Sequence, residues 1–146
     1  MQTEQTFFVS ARPQAVWEFL TDPYRVATCL PGATITEQVD DRTFRGTIKV
    51  KVGPIAAGYK GVVVFERLDP HRWEADLVGH GQDSKGGAEM RMQSRLESKD
   101  GGTEVRVTTE VKVFGLLAQM GRGLIPSVSN QIFKKFAAAV QAKLEA

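Results

Sequence analysis

The first thirty residues change from a strand pattern to two short helical patterns. The aromatic and β-branched run Glu4–Ser10 predicts a strand. Proline in a first turn and apolar residues at helical spacing predict an amphipathic helix over Pro13–Leu20. Asp22 and the proline after it repeat the start signal, which predicts a second helix over Pro23–Leu30. Because so few residues separate the two helices, we expect a sharp turn between them.

From Ala33 to Phe114 the apolar residues recur at every second position, which predicts six further strands with one solvent-exposed face. Turn signals such as Gly53-Pro54 and Asp100-Gly101-Gly102 separate these strands. On one of them we expect the alternating residues Trp73, Ala75, Leu77 and Gly79. Long strands joined by tight turns predict an antiparallel meander rather than parallel β-α-β units. With the first strand they make a seven-stranded sheet.

The C-terminal region returns to a period of 3.6, which predicts one helix of up to 29 residues from Leu116 to Leu144. Its apolar stripe is formed by Leu117, Met120, Leu124, Val128, Ile132, Phe136, Val140 and Leu144. Gly121, Gly123 and Pro126 interrupt the first half, and interior glycine and proline destabilise a helix by about 1 and 3 kcal/mol. We therefore expect this half to be kinked or to form a separate, lid-like segment.

The predicted class is α+β, with a curved sheet closing over the long helix, because each has an apolar face that the other can bury. Inward positions on the sheet are small, and methionines, which adapt to varied apolar shapes, lie near them. These small residues are Gly46, Gly61, Ala75, Gly79, Ala88 and Ser94. We therefore predict an apolar cavity between sheet and helix, the alternative being that these residues only tune core packing.

The predicted cavity is lined by large apolar side chains of the sheet and the last helix. The ligand-binding residues that we expect are Phe65, Trp73, Leu77, Met90, Met92, Met120, Leu124 and Val128. Such a pocket holds a hydrophobic small molecule mainly by burying its surface, at about 25 cal/mol per Å².

Composition narrows the function classes. The 146 residues suit a single domain, 1–146, and a formal charge of +2 with scattered basic residues argues against a nucleic-acid partner. Cys29 is the one cysteine, so neither an internal disulfide nor a thiolate metal cluster is expected. We see no signal peptide and no apolar run long enough to span a membrane, which predicts a cytoplasmic protein.

The residues able to do chemistry form no recognisable catalytic constellation. His71 and His80 have no neighbouring cysteine or paired carboxylate, which argues against a metal site. The run Asp83-Ser84-Lys85 is better explained by a solvated hairpin than by convergent catalytic groups. No nucleophile elbow or phosphate-binding loop follows a strand. We therefore expect a non-enzymatic protein with no cofactor and no metal.

Three stretches resemble the CoxG family of carbon monoxide dehydrogenase proteins, within the START/Bet v 1-like (SRPBCC) superfamily. They are DPYRVATCLPGA at 22–33, FRGTIKVKVGPIAAGYKG at 44–61 and GHGQDSKGGAEM at 79–90. The leucine-proline-glycine turn and the K-V-G-P-I turn carry most of the specificity. The resemblance implies the helix-grip fold of that superfamily: a seven-stranded curved antiparallel sheet around a long C-terminal helix, with two short helices after the first strand.

The resemblance also implies a function. It suggests a carrier, accessory or recruitment protein for a CO dehydrogenase-type molybdenum hydroxylase, and an isoprenoid quinone or lipid as the ligand. The alternatives are an enzyme of the polyketide cyclase or aromatase kind, which shares the fold, and an assembly factor whose cavity is incidental. The family further implies peripheral contact with the inner face of the membrane, and the charge of +3 on the last 31 residues suits either that contact or a solvated helix face.

Overall fold

A computed structural model describes residues 1–145 of the chain. The strands are β1 (Gln2–Val9), β2 (Ala33–Gln38), β3 (Thr43–Val52), β4 (Ile55–Asp69), β5 (Glu74–Asp83), β6 (Gly86–Lys99) and β7 (Gly102–Val113). The helices are α1 (Pro13–Leu20), α2 (Pro23–Ala27), α3 (Leu116–Gly121) and α4 (Ile125–Leu144). This order confirms the predicted helix-grip architecture, and α1 has the predicted bounds. None of the helices between residues 1 and 145 has the length and apolar character that crossing a bilayer requires.

The seven strands form one antiparallel sheet in the order β1-β7-β6-β5-β4-β3-β2. Strands β2 to β7 follow one another as a meander, and β1 joins its far edge beside β7. The pairing of β4 with β5 shifts between Phe65 and Arg67, and that of β2 with β3 between Ile35 and Glu37. Such irregularities increase the local twist of a sheet, which helps this one to curve.

Helix α2 ends three residues earlier than the sequence predicts. The Asp22 carboxylate caps it by accepting hydrogen bonds from the backbone N–H groups of Tyr24 and Arg25. After Ala27 the N–H groups of Cys29 and Leu30 bond to carbonyls three residues back, so the chain tightens into turns rather than continuing the α-helix. The apolar residues up to Leu30 therefore belong partly to the helix and partly to the turn that follows it.

The predicted C-terminal helix is divided into α3 and α4, as its glycines and proline indicate. Pro126 lies in the first turn of α4, where its missing N–H has no intrahelical partner to lose. Residues 122–124 join the two helices, and Gly115, with φ of +85°, turns the chain into α3. The prediction of a separate segment ahead of the main helix is thus confirmed.

The alternating pattern predicts Trp73 on a strand, but the structure places it outside one. It lies in the turn before β5 and has a left-handed backbone, with φ of +54°. The Asp69 carboxylate accepts hydrogen bonds from the N–H groups of His71 and Arg72 and so fixes the turn. The Trp73 indole N–H donates to Gln14 of α1 at 3.3 Å, which ties this turn to that helix.

The buried apolar residues fall into two clusters. The first core cluster consists of Val9, Val16, Trp17, Phe19, Cys29, Phe44, Phe65, Ala75, Leu96, Val105, Val107 and Val140. The second core cluster consists of Val52, Ile55, Ala57, Tyr59 and Leu117. The first joins α1 and α4 to the sheet, whereas the second joins α3 to the β3–β4 hairpin. The middle of the sheet lies between them.

Candidate functional site

A row of very small residues crosses the inner face of the sheet between the two core clusters. In the strand register Gly46 of β3 is paired with Gly61 of β4, Gly61 with Gly81 of β5, and Gly81 with Ala88 of β6. Four adjacent strands therefore contribute no side chain larger than a methyl group along this line. We call these four residues the small-residue row.

At two positions of the row the backbone of a neighbouring strand approaches closely. A Cβ atom on Gly61 would collide with the His80 carbonyl oxygen and would lie 2.7 Å from the Gly81 Cα. On Gly46 it would lie 2.5 Å from the Thr34 carbonyl oxygen. Glycine inside a strand commonly marks a bend or a close backbone approach. Here it allows the sheet to bend and at the same time leaves the inner surface unfilled.

Three predicted ligand-binding residues lie together beside the row. Leu77 is paired with Met92, and Met90 is paired with Gly79 on the neighbouring strand. Phe65 lies opposite Leu77 and is buried in the first core cluster. Leu77, Met90 and Met92 point inward yet are only partly buried. Val128 of α4 is partly buried against the second core cluster.

Incomplete burial of inward-facing residues defines the candidate cavity. All four members of the small-residue row lie on the inner face of the sheet and are only partly buried, as are Leu77 and its methionine neighbours. Ala88 packs against the second core cluster. These partly buried positions are the candidate ligand site, and the side chains beside them are predominantly apolar.

The other predicted ligand-binding residues lie away from the row. Trp73 packs against the first core cluster near α1. Met120 is 65% exposed and Leu124 is 45% exposed, so the structure places both at the surface rather than inside. Leu124 contacts the β3–β4 turn, because a Cβ on Gly53 would lie 2.8 Å from its Cδ1. That all three contact a ligand stays a prediction.

The exposed apolar residues are concentrated around α3. Among residues 1–145, eight large hydrophobic side chains are exposed, and half of them lie within residues 114–124. We call these four the α3 patch: Phe114, Leu116, Met120 and Leu124. Because scattered single exposures are ordinary whereas clusters are not, this concentration makes the α3 patch a candidate contact surface.

Two basic residues adjoin the α3 patch. Arg122 lies within its residue range, and the Lys85 carbonyl accepts a hydrogen bond from the Leu116 N–H at 2.7 Å. The Lys85 ammonium donates to the Ala56 carbonyl in the β3–β4 hairpin. In the part of the chain that the structure describes, neither of these two cations has a carboxylate within 4.0 Å. The patch is therefore apolar with a basic rim.

Tyr59 is a candidate site residue that the sequence analysis did not single out. It is 8% exposed and belongs to the second core cluster, immediately beside the small-residue row. Burial raises the pKa of Tyr59, and the Asp83 carboxylate raises it further. The period-two pattern places its side chain inward, and that signal could have identified it.

The acid–base candidates either lie on the outer face of the sheet or are held by the backbone. His80 and Glu89 are paired with each other across β5 and β6 and are exposed on the outer face. Asp83 accepts backbone hydrogen bonds from Gly58 and Lys85, both at 2.7 Å, and these lower its pKa. Between residues 1 and 145 no three His, Cys, Asp or Glu residues lie close enough together to hold a metal ion. Cys29 is a buried thiol.

A cleft of about 540 Å³ opens at the surface between α2 and the end of α4. It is lined by Phe19, Tyr24, Arg25, Thr28 and Lys143. The Arg25 guanidinium lies over the Phe19 ring, and the Lys143 ammonium donates to the Thr28 hydroxyl at 2.6 Å. This cleft adjoins the first core cluster and carries two cationic side chains, so it does not suit the same ligand.

Comparison with known proteins adds a family and a set of structural neighbours. The family model of CoxG, described as a carbon monoxide dehydrogenase subunit, matches residues 6–145. None of the curated proteins is significantly similar to the chain in sequence.

Several solved structures share the fold at low sequence identity. A conserved protein from Geobacillus kaustophilus is 16% identical, with a TM-score of 0.89 over 99% of this chain and 95% of that one. The Zhui aromatase/cyclase from Streptomyces sp. R1128 is 19% identical, with a TM-score of 0.73 over 99% and 93%. Ara h 8.0201 is 16% identical, with a TM-score of 0.61 over 97% and 98%.

Proposed function

The chain belongs to the CoxG family of carbon monoxide dehydrogenase proteins, and we propose that it binds a hydrophobic small molecule in the space between the small-residue row and α4. In this role it is a carrier or accessory protein of a CO dehydrogenase-type molybdenum hydroxylase rather than an enzyme itself. The family description supports the partner, and an isoprenoid quinone is the ligand class that the family favours.

The observation that carries this proposal is the row of small, partly buried residues on the inner face of the sheet. The side chains beside this row are leucine and methionine. Each 100 Å² of apolar ligand surface buried in such a site contributes about 2.5 kcal/mol of favourable transfer free energy. Binding therefore requires few polar contacts, which serve mainly to orient the ligand.

We prefer binding to catalysis because of where the ionisable groups lie. Some proteins of this fold, such as the Zhui aromatase/cyclase, are named as enzymes. In this chain His80 and Glu89 are on the outer face, and the Asp83 carboxylate is engaged by two backbone N–H groups. Acid–base catalysis would require ionisable side chains on the inner face that are free to reach a bound ligand.

Filling the cavity tests the proposal. Ala88 lies on the inner face and is partly buried, so a phenylalanine there would occupy the space of the ligand. We expect Ala88→Phe to weaken binding of the neutral fluorescent probe N-phenyl-1-naphthylamine by about tenfold or more, since a filled pocket has no room for it. Glu89→Phe places the same side chain on the outer face and is the matched control. Equal probe affinity in both variants would contradict the proposal.

We also propose that the α3 patch is the surface through which the protein contacts an anionic membrane. Its four apolar side chains can enter the boundary between headgroups and acyl chains, while Arg122 and Lys85 lie beside them for contact with the negative surface. Each basic residue near such a surface contributes about 1 kcal/mol. The patch adjoins the second core cluster, so a lipophilic ligand leaving the cavity at this end would meet the bilayer directly.

Vesicle sedimentation tests this contact. We expect binding to phosphatidylcholine vesicles that contain phosphatidylglycerol, weaker binding to phosphatidylcholine alone, and loss of binding as salt screens the charges. The double variant Met120→Ser, Leu124→Ser should reduce binding about tenfold, because it removes two apolar anchors. Val39→Ser is the control, since Val39 is 46% exposed but distant from the patch in sequence. Unchanged binding of the double variant would refute a role for the patch.

A further inference from the structure

The hydroxyl group of Tyr59 is a polar atom in an otherwise apolar environment. Tyr59 is 8% exposed, and its neighbours in the second core cluster are Val52, Ile55, Ala57 and Leu117. It borders the small-residue row directly, because a Cβ atom on Gly81 would lie 3.2 Å from the Tyr59 Cβ. The Tyr59 side chain therefore begins beside the small-residue row and packs in the second core cluster.

This hydroxyl has no hydrogen-bond partner among residues 1–145, although the side chain is more than nine-tenths buried. Among those of the same residues that are not exposed, all side-chain nitrogen and oxygen atoms that solvent cannot reach have a hydrogen-bond partner. The Tyr59 oxygen is consequently open to a space that a water molecule can enter. Thr103 shows the usual arrangement, because its buried hydroxyl donates to the Ala11 carbonyl at 2.7 Å.

We propose that Tyr59 is the positioning residue of the cavity and donates a hydrogen bond to an uncharged carbonyl oxygen of the bound ligand. This inference rests on the proposed function and specifies the chemistry of the ligand: an apolar body that carries a hydrogen-bond acceptor. The hydroxyl is open to water when the site is empty, and a ligand carbonyl would replace that water as its hydrogen-bond partner.

The electrostatic environment favours a neutral acceptor over a carboxylate. Asp83 follows Gln82, the residue paired with Lys60, and therefore lies across from Tyr59 at the end of β5. Burial and this carboxylate both raise the pKa of Tyr59, so the phenol stays protonated as a donor at neutral pH. The same negative field repels an anionic head group. A ring carbonyl thus fits the site better than an ionised fatty acid.

Two probes that differ only in their carbonyl groups test the inference: an alkyl-naphthoquinone and the alkylnaphthalene with the same chain. In the Tyr59→Phe variant we expect the affinity for the naphthoquinone to fall about three- to tenfold, as for the loss of one hydrogen bond. The affinity for the alkylnaphthalene should not change. Tyr24→Phe is the matched control, because Tyr24 is 46% exposed.

An infrared measurement separates a hydrogen bond from a packing effect. The carbonyl stretching band of the bound naphthoquinone should lie at lower frequency in the wild-type protein and in Tyr24→Phe than in Tyr59→Phe. If the wild type binds both probes and Tyr59→Phe changes neither the affinity ratio nor the band, the role of Tyr59 is refuted while cavity binding stands. If the wild type binds neither probe, cavity binding itself fails, and the inference with it.

Discussion

The substitution Gly61→Ala is expected to lower the free energy of unfolding by about 3 kcal/mol or more, although it adds a single methyl group. The added Cβ would collide with the His80 carbonyl oxygen and would lie 2.7 Å from the Gly81 Cα. Both are backbone atoms of the adjacent strand β5, which cannot move aside without breaking its pairing with β4. The loss is measurable as a lower midpoint in urea denaturation.

Gly123→Ala is the control for Gly61→Ala. A Cβ on Gly123 would meet no atom within 4 Å, so the substitution introduces no collision. Alanine also restricts the unfolded chain more than glycine does, so stability should stay the same or rise by about 0.4–1 kcal/mol. If both variants unfold at the wild-type midpoint, the close strand approach described at Gly61 is wrong, and with it the bend that shapes the small-residue row.

Trp17→Ala is expected to reduce the free energy of unfolding by about 3–5 kcal/mol, a large part of the total for a domain of this size. Trp17 is 8% exposed and joins α1 to the first core cluster, so its removal leaves a cavity and releases the helix. Phe114→Ala removes an aromatic ring that is 49% exposed and should change stability by about 0.5 kcal/mol or less.

Thermal unfolding followed by circular dichroism compares Trp17→Ala with Phe114→Ala. The first should melt far below the wild type and the second near it. Similar melting temperatures for the two variants would mean that α1 is not anchored as described.

The sequence predicted the elements better than it predicted the site. Proline and capping signals placed α1 correctly, and Gly121, Gly123 and Pro126 indicated the break before α4. The predicted apolar stripe nevertheless treats residues 116–144 as one continuous helix. Because α3 and α4 are separate helices, the stripe does not keep its face across residues 122–124, and Met120 and Leu124 are exposed instead of lining the interior.

The small-residue row shows why the cavity floor could not be predicted in detail. The glycines are visible in the sequence, but their alignment depends on strand register. Register in turn depends on turn geometry and on irregularities such as the shift between Phe65 and Arg67. The left-handed conformation of Trp73 is equally invisible in an alternating pattern. Which residues share the cavity therefore follows only once the strand pairing is known.

The α3 segment links the proposed ligand site to the proposed membrane contact. It covers the second core cluster through Leu117, and Gly121 packs against Val52, since a Cβ there would lie 3.1 Å from Val52 Cγ1. The same segment carries Met120 on its exposed side. In the proposed function, this short helix stands between the ligand site and the membrane, and a lipophilic ligand would pass beside it.

Native mass spectrometry of the gently purified protein tests the central claim, that the inner face holds a hydrophobic small molecule. Protein extracted without detergent should carry one lipophilic molecule per chain, and Glu89→Phe should carry it as well. The cavity-filled variant Ala88→Phe should be empty although its circular dichroism spectrum is that of the wild type. A wild-type chain that is always empty and binds neither the alkyl-naphthoquinone nor the alkylnaphthalene when they are added would contradict the claim.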